Sequence, residues 1–103
     1  MAGTKVHTSA DWWVTAGQSC DAARAGLDCS RTAPDLLHTL TELEGARRAS
    51  TVAVGAAVEA LLASGTSWDR IAAALGLPGA EAAQGATAES VAAADEAMRR
   101  RLG

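Results

Sequence analysis

The fold is decided by one stretch in the second half of the chain, Gly65-Thr66-Ser67-Trp68-Asp69-Arg70-Ile71-Ala72-Ala73-Ala74-Leu75-Gly76-Leu77-Pro78. Its main apolar side chains follow the spacing i, i+3, i+4 and i+7 of one helical face: Trp68, Ile71, Ala72 and Leu75. Thr66 or Ser67 is placed to cap the start of this helix, with Asp69 completing a capping box after Thr66. Gly76 stands where helices often end in the left-handed region. The stretch therefore predicts a helix-turn-helix over about residues 67–86.

The composition favours helices throughout. The chain has 103 residues, of which 26 are alanine, and it contains no phenylalanine or tyrosine. Alanine is the strongest helix former, but it buries little apolar surface. We therefore expect one all-α domain of four to five helices, with the helix-turn-helix in its C-terminal half. A core this thin leaves room for a homodimer or another protein partner to add burial.

The first third of the chain predicts a tail and one helix. Residues 1–8 read as a flexible N-terminal tail, and residues 9–103 as a single helical domain. A first helix is expected from about Ala10 to Arg24, and one face of it carries Trp13, Ala16, Cys20 and Ala23. Trp12 then lies on a neighbouring face, where it is a candidate partner-binding residue. The alternative is a first helix that is buried on both sides.

A second, longer helical segment follows a connection at residues 25–33. Pro34 suits the first turn of a helix, where its missing N–H costs nothing. The stripe that follows has near-heptad spacing and comprises Leu36, Leu40, Leu43, Arg47, Ser50, Val54, Ala57 and Leu61. Residues 35–64 fit either one helix of about 30 residues or two helices joined near residues 45–50, and the continuous helix is favoured.

The periodic spacing of apolar residues also predicts helix for the last segment of the chain. A helix is expected to start near Ala80, and Gly85 weakens it. Residues 87–102 then form the last helix, which is either separate from or continuous with the segment before Gly85. Its apolar stripe consists of Val91, Ala94, Met98 and Leu102.

Charge and composition exclude several classes of protein. The net charge is −3 and the isoelectric point about 5.2, so the chain lacks the overall basic character of most free-standing DNA-binding domains. No N-terminal apolar region or membrane-length apolar run is present, which predicts a cytoplasmic protein that contacts no membrane. Cys20 and Cys29 are then expected to be reduced. We expect no metal site, because the spacing of the cysteines with His7 and His38 matches no zinc motif. We expect no enzyme or cofactor site either, because the acidic residues are spread along the helices and no catalytic combination of residues is visible.

The opening stretch resembles the helix-turn-helix of small actinobacterial proteins of the homeodomain-like or sigma-region-4-like type. The resemblance covers roughly residues 35–84 and rests on Ser67-Trp68, Ile71-Ala72 and Ala74-Leu75-Gly76. It implies that Trp68, Ile71 and Leu75 pack inward and that Gly76 makes the turn. It also implies a small, transcription-regulating DNA-binding protein.

The residues after the turn depart from such relatives, which often continue with "S-R-Q-A-A-x-x-R". This chain has Pro78-Gly79-Ala80-Glu81-Ala82-Ala83-Gln84-Gly85-Ala86, with no arginine or lysine before Arg99. The candidate base-facing residues are Glu81, Gln84 and Thr87, and the candidate phosphate contacts are Arg70, Arg99, Arg100 and Arg101. The alternative function is a protein–protein interaction module on a helix-turn-helix scaffold that no longer reads DNA.

Overall fold

The computed structural model describes residues 6–103, and this part of the chain consists of four α-helices without strands. The helices are α1 (Ser9–Arg31), α2 (Leu36–Ala63), α3 (Trp68–Leu75) and α4 (Ala80–Leu102). The predicted all-α class is confirmed, at the lower end of the expected number of helices. Of the predicted N-terminal tail, residues 1–5 lie outside the described residues, and residues 6–8 lead into α1.

Helix α1 is longer than the sequence predicts. It begins at a capping box, in which Thr8 and Asp11 exchange hydrogen bonds of 2.9 and 3.1 Å. The predicted end at Arg24 and the predicted connection at residues 25–33 are wrong, because the helix continues to Arg31. Gly26 lies directly against α2, where a Cβ atom would come within 3.1 Å of the Ala46 Cβ. Packing on α2 therefore overrides the weak helix propensity of this segment.

Helix α2 runs without interruption, which confirms the prediction of one continuous helix. Its 28 residues correspond to a length of about 42 Å. Asp35 is the N-cap and accepts a hydrogen bond of 2.8 Å from the backbone N–H of His38. Pro34 therefore precedes the cap, and the prediction that it occupies the first turn is wrong by two positions.

Helix α3 and the turn after it match the predicted bounds closely. Ser67 caps α3 by accepting from the N–H of Arg70, and Thr66 takes no part in the cap. Gly76 ends the helix with φ 71° and ψ 27°, a left-handed conformation that glycine adopts without strain. The N–H of Leu77 then donates to the Ala72 carbonyl at 2.9 Å. Helix α4 begins at Ala80 and passes straight through Gly85, so it is one helix.

Helices α1 and α2 form an antiparallel hairpin. At one end the Ser9 hydroxyl donates to the Ala60 carbonyl at 3.2 Å, and at the other the Thr39 hydroxyl donates to the Ser30 carbonyl at 3.3 Å. Helix α4 lies across one side of this hairpin and runs in the same general direction as α2. The three long helices share a core cluster formed by Trp12, Ala16, Ala56, Ala60, Ala94 and Met98.

The crossing of α2 and α4 depends on Gly55. A Cβ atom at this position would lie 1.9 Å from the Ser90 carbonyl oxygen and 2.8 Å from the backbone nitrogen of Val91. Only a residue without a side chain permits the two backbones to approach so closely. The small residues on both helices therefore set the depth at which α4 sits in the hairpin.

Candidate functional site

The predicted DNA-reading residues at the start of α4 do not share one surface. Arg70 on α3 is exposed, and Glu81 and Gln84 are exposed in the first two turns of α4. Thr87 is 3% exposed, and its hydroxyl donates to the Ala83 carbonyl of its own helix at 2.8 Å. The expectation that Thr87 faces a base is therefore wrong, because the side chain points into the protein.

The C-terminal arginines lie far from that end of α4. Arg99 follows Glu81 by 18 residues, a separation of about 27 Å along a helix. Arg99 and Arg100 both pair with Glu96 on the same helix. One carboxylate thus serves two guanidinium groups, and exposed pairs of this type contribute little to stability.

Arg101 has an internal structural role. Its guanidinium donates to the Asp11 carbonyl at 2.8 Å and to the Thr15 hydroxyl at 3.1 Å. These hydrogen bonds join the last turn of α4 to the first turns of α1. Arg101 is therefore not a free phosphate contact, in contrast to the sequence prediction.

The interior of the α3 segment agrees only partly with the resemblance. Ile71 and Ala72 are buried and Trp68 is half-buried, but Leu75 is 42% exposed. The expectation that Leu75 packs inward is wrong, because the turn at Gly76 leaves it at the edge of the α3–α4 contact. The segment is a helix, a tight turn and a second helix, with a thin apolar interior.

The two adjacent tryptophans have the opposite environments from those predicted. Trp12 is 6% exposed and packs in the core cluster, with the ring of His7 edge-on at 5.8 Å between centroids. Trp13 is 70% exposed. Trp12 therefore cannot act as an exposed partner-binding residue, and the residue available for that role is Trp13. Adjacent helix positions point about 100° apart, and α4 covers the side of α1 that carries Trp12.

An exposed apolar surface covers the side of the hairpin opposite α4, and we call it the open face. Its α2 stripe consists of Leu36, Leu40, Leu43, Arg47, Ser50, Val54, Ala57 and Leu61, all of which are exposed. Its α1 stripe consists of Trp13, Gly17, Cys20, Arg24, Leu27 and Arg31, which are exposed as well. The sequence identified the α2 stripe by its spacing, but not that the stripe would lack a partner within the fold.

The open face contains an apolar hollow beside Trp13. The hollow has a volume of about 170 Å³. Its lining residues are Trp13, Ala16, Ala57, Ala60, Leu61 and Ser64. Alanines form its floor and two large apolar side chains form its rim, a shape that accepts an aliphatic side chain from another molecule.

Two carboxylates meet where α2 packs on α4. Burial, followed by a hydrogen bond and charge repulsion from Asp95, raises the pKa of the Glu59 carboxyl to about 7. The pair opens into a shallow hollow that His7, Trp12, Met98 and Arg99 also line.

We expect this acid pair to make the protein more stable at mildly acidic pH. Because the folded pKa of Glu59 lies above its unfolded value of 4.5, the stabilisation is complete below about pH 4.5 and is lost as pH rises through about 7. After allowance for solvent screening of this half-exposed group, the free energy of unfolding should fall by about 1 kcal/mol over that range. Urea unfolding at about pH 5 and pH 8 measures it. Glu59→Gln should flatten the dependence, and an equal slope in both proteins would contradict the assignment.

The two cysteines are not joined by a disulfide bond. Cys20 and Cys29 both lie on α1 and are exposed and free. Nine helical residues separate them by about 13.5 Å, too far for a disulfide within one chain. Among residues 6–103, no group of three or more His, Cys, Asp or Glu side chains comes together in a way that could hold a metal ion.

No protein family, curated protein or solved structure matches this chain. Within residues 6–103, none of the helices combines the length and the apolar character that crossing a bilayer requires. The class of protein is therefore defined by its own geometry: four helices, of which the first two present an uncovered apolar face.

Proposed function

We propose that this chain is a protein-interaction module that binds an amphipathic α-helical partner on its open face. The observation that carries the proposal is the α2 stripe, in which eight positions at heptad spacing are all exposed. Leu36 is 85% exposed and Leu40 is 63% exposed. Leaving such side chains in water forgoes about 1.5–3 kcal/mol each when they could be fully buried.

The shape of the open face favours a helix as the partner. Heptad spacing presents knobs and holes that a second helix fills, and an extended peptide or a small molecule would not match that repeat. The hollow beside Trp13 supplies a central pocket of the kind that anchors an interface. Polar groups flank the stripe as a rim, among them the half-buried Glu44 and the exposed Arg48.

A designed peptide tests this function. The probe is a labelled amphipathic peptide of about four heptads with leucine at positions a and d. The control peptide has the same composition with its leucines scattered off the stripe. We expect saturable binding of the first peptide alone, measured by fluorescence anisotropy, and weaker binding by Leu40→Glu. Self-association through the same face would support the function as well. Absence of both peptide binding and self-association would overturn it.

DNA binding by the segment from Trp68 to Gln84 is a second candidate. It is favoured by the capped α3, the left-handed Gly76 and the exposed Glu81 and Gln84 after the turn. The charge distribution weighs against it, since Arg70 is the one basic residue between Arg48 and Arg99. Recognition of duplex DNA normally needs several basic phosphate contacts.

A titration against random-sequence duplex at low salt separates the two candidates. Non-specific phosphate affinity is greatest under these conditions and does not require the correct operator. The interaction module predicts no binding, whereas a DNA reader predicts binding that Arg70→Ala weakens. Absence of binding at low salt would exclude the DNA function.

A further inference from the structure

We propose that the partner of the open face is a second copy of this chain, bound in antiparallel register about a two-fold axis. In this dimer α2 packs on α2 of the second copy and α1 packs on its α1, which forms a four-helix bundle. The inference rests on the proposed function, because it names the occupant of the same face. It is carried by the match in size between the residues that the reversal pairs and by the shared level of the two stripe centres.

The α2 stripe is complementary to itself when one copy is reversed. Its centre lies between Arg48 and Ala49, and each stripe position has a counterpart at equal distance on the other side. Reversal pairs Leu36 with Leu61, Leu40 with Ala57, Leu43 with Val54 and Arg47 with Ser50. Large residues in the first half of the stripe thus face equal or smaller ones in the second half. An antiparallel coiled coil packs its layers in this manner, with each a position facing a d position.

The α1 stripe has the same property about its own centre, Ala22. Reversal pairs Trp13 with Arg31, Gly17 with Leu27 and Cys20 with Arg24. The first pair places a guanidinium beside an indole ring, and the second places a leucine over a glycine, where space is greatest. Alternating spacing of three and four residues makes any such stripe symmetric about its centre, so the support for the pairing comes from the match in residue size.

The two centres lie at the same level of the hairpin, which is an independent test of the arrangement. Counted from the Ser9–Ala60 and Ser30–Thr39 hydrogen bonds at the two ends, Ala22 on α1 lies level with Arg47 on α2. Counted from the contact between Gly26 and Ala46, it lies level with Ser50. The centre of the α2 stripe falls midway between these two positions. One two-fold axis can therefore pass through the centres of both stripes.

The same register gives the most exposed apolar side chains a partner in the second copy. Because Leu36 of one copy faces Leu61 of the other, the first turns of α2 lie over the apolar hollow beside Trp13. The hollow then receives a leucine, and Trp13 is covered in return. Packing of this kind removes the largest exposed apolar groups of both copies from water at once.

The polar groups near the axis define the register of this pairing. Arg47 of each copy approaches the axis, and Glu44 holds it through hydrogen bonds of 2.7 and 2.8 Å. The guanidinium groups of Arg47 and Arg48 lower the pKa of Glu44 to about 2, so its carboxylate stays charged. Each Glu44 pairs with both Arg47 and Arg48, so the region near the axis keeps a net positive charge, to which Arg24 of the α1 stripe adds. The Arg47–Ser50 layer therefore marks the register at a cost in stability, as a polar layer does in coiled coils.

Light scattering and cross-linking of single-cysteine variants test the dimer. We expect the full chain to have twice its 10.4 kDa mass at concentrations up to about 100 µM, and Leu40→Glu to be monomeric with unchanged helicity. In the proposed register the two Cys20 residues are offset by about 6 Å along the helices, and the two Cys29 residues by about 21 Å. A short bismaleimide should therefore link copies of Cys29→Ser through Cys20 and should not link copies of Cys20→Ser.

The outcomes distinguish the inference from the function on which it rests. A monomer that binds the amphipathic peptide would overturn the dimer and leave the interaction function standing. A monomer that does not bind the peptide would overturn both the dimer and the interaction function. A dimer linked through Cys29 but not through Cys20 would overturn the antiparallel register. A dimer linked through Cys20 alone supports the inference.

Discussion

Replacing Gly55 with alanine is expected to destabilise the protein by about 3 kcal/mol or more, a large part of the total stability of a small domain. The added Cβ would lie 1.9 Å from the Ser90 carbonyl oxygen, which belongs to a helix backbone and cannot rotate away. Helix α4 must move outward, and Met98 and Ala94 must lose part of their packing in the core cluster. Urea unfolding followed by circular dichroism measures the loss.

Gly45 provides the matched control. It lies in the same helix, and a Cβ atom there would meet nothing within 4 Å. Gly45→Ala should therefore stabilise the protein by about 0.5–1 kcal/mol through helix propensity alone. If Gly55→Ala has the same effect as Gly45→Ala, the close approach of α2 and α4 does not exist.

The second large effect is expected from Trp12→Ala, which should lower the free energy of unfolding by about 3–5 kcal/mol. The substitution removes the largest side chain of the core cluster and leaves a cavity. Trp13→Ala is the control, one residue along the same helix. In the monomer it should change stability by no more than about 0.5 kcal/mol, since Trp13 is largely exposed. The same variant should weaken dimer formation, which light scattering measures.

The comparison of these two variants has a clear contrary outcome. A large loss of monomer stability in Trp13→Ala and a small one in Trp12→Ala would reverse the burial of the two side chains. Measurement at low protein concentration keeps dimer dissociation from contributing to the unfolding free energy. In the Leu40→Glu variant, which is expected to be monomeric, dimer dissociation does not contribute at any protein concentration.

The sequence predicts the helices of this protein better than their faces. Periodicity and caps locate α2, α3 and the turn at Gly76, because those signals are local. The choice between Trp12 and Trp13 depends on which side of α1 receives α4, and local spacing gives no information about that. The same cause explains the extension of α1 past Arg24, which follows from the packing of Gly26 against Ala46.

For the candidate site as well, the sequence predicts the helical pattern but not the surroundings of the side chains. Heptad spacing identifies the α2 stripe, yet the absence of a partner for it is a property of the whole fold. Arg101 appears in the sequence as part of a basic C-terminal run, and in the structure it is bonded to Asp11 and Thr15. Contacts between residues about 90 positions apart leave no signal in a local pattern. The sequence therefore indicates residues for DNA contact by their chemical type and not by their position in the fold.

The bonds of Arg101 also have a consequence for the order in which the chain folds. The hairpin of α1 and α2 can form early, because its two halves are joined by a short connection and closing such a loop costs little entropy. Docking of α4 must bring Met98 and Arg101 back to the first turns of α1, across most of the length of the chain. Such non-local contacts are the slow ones to form. We therefore expect a hairpin intermediate with both of its faces bare, in which the side that later receives α4 stays open to contact with other chains until α4 docks.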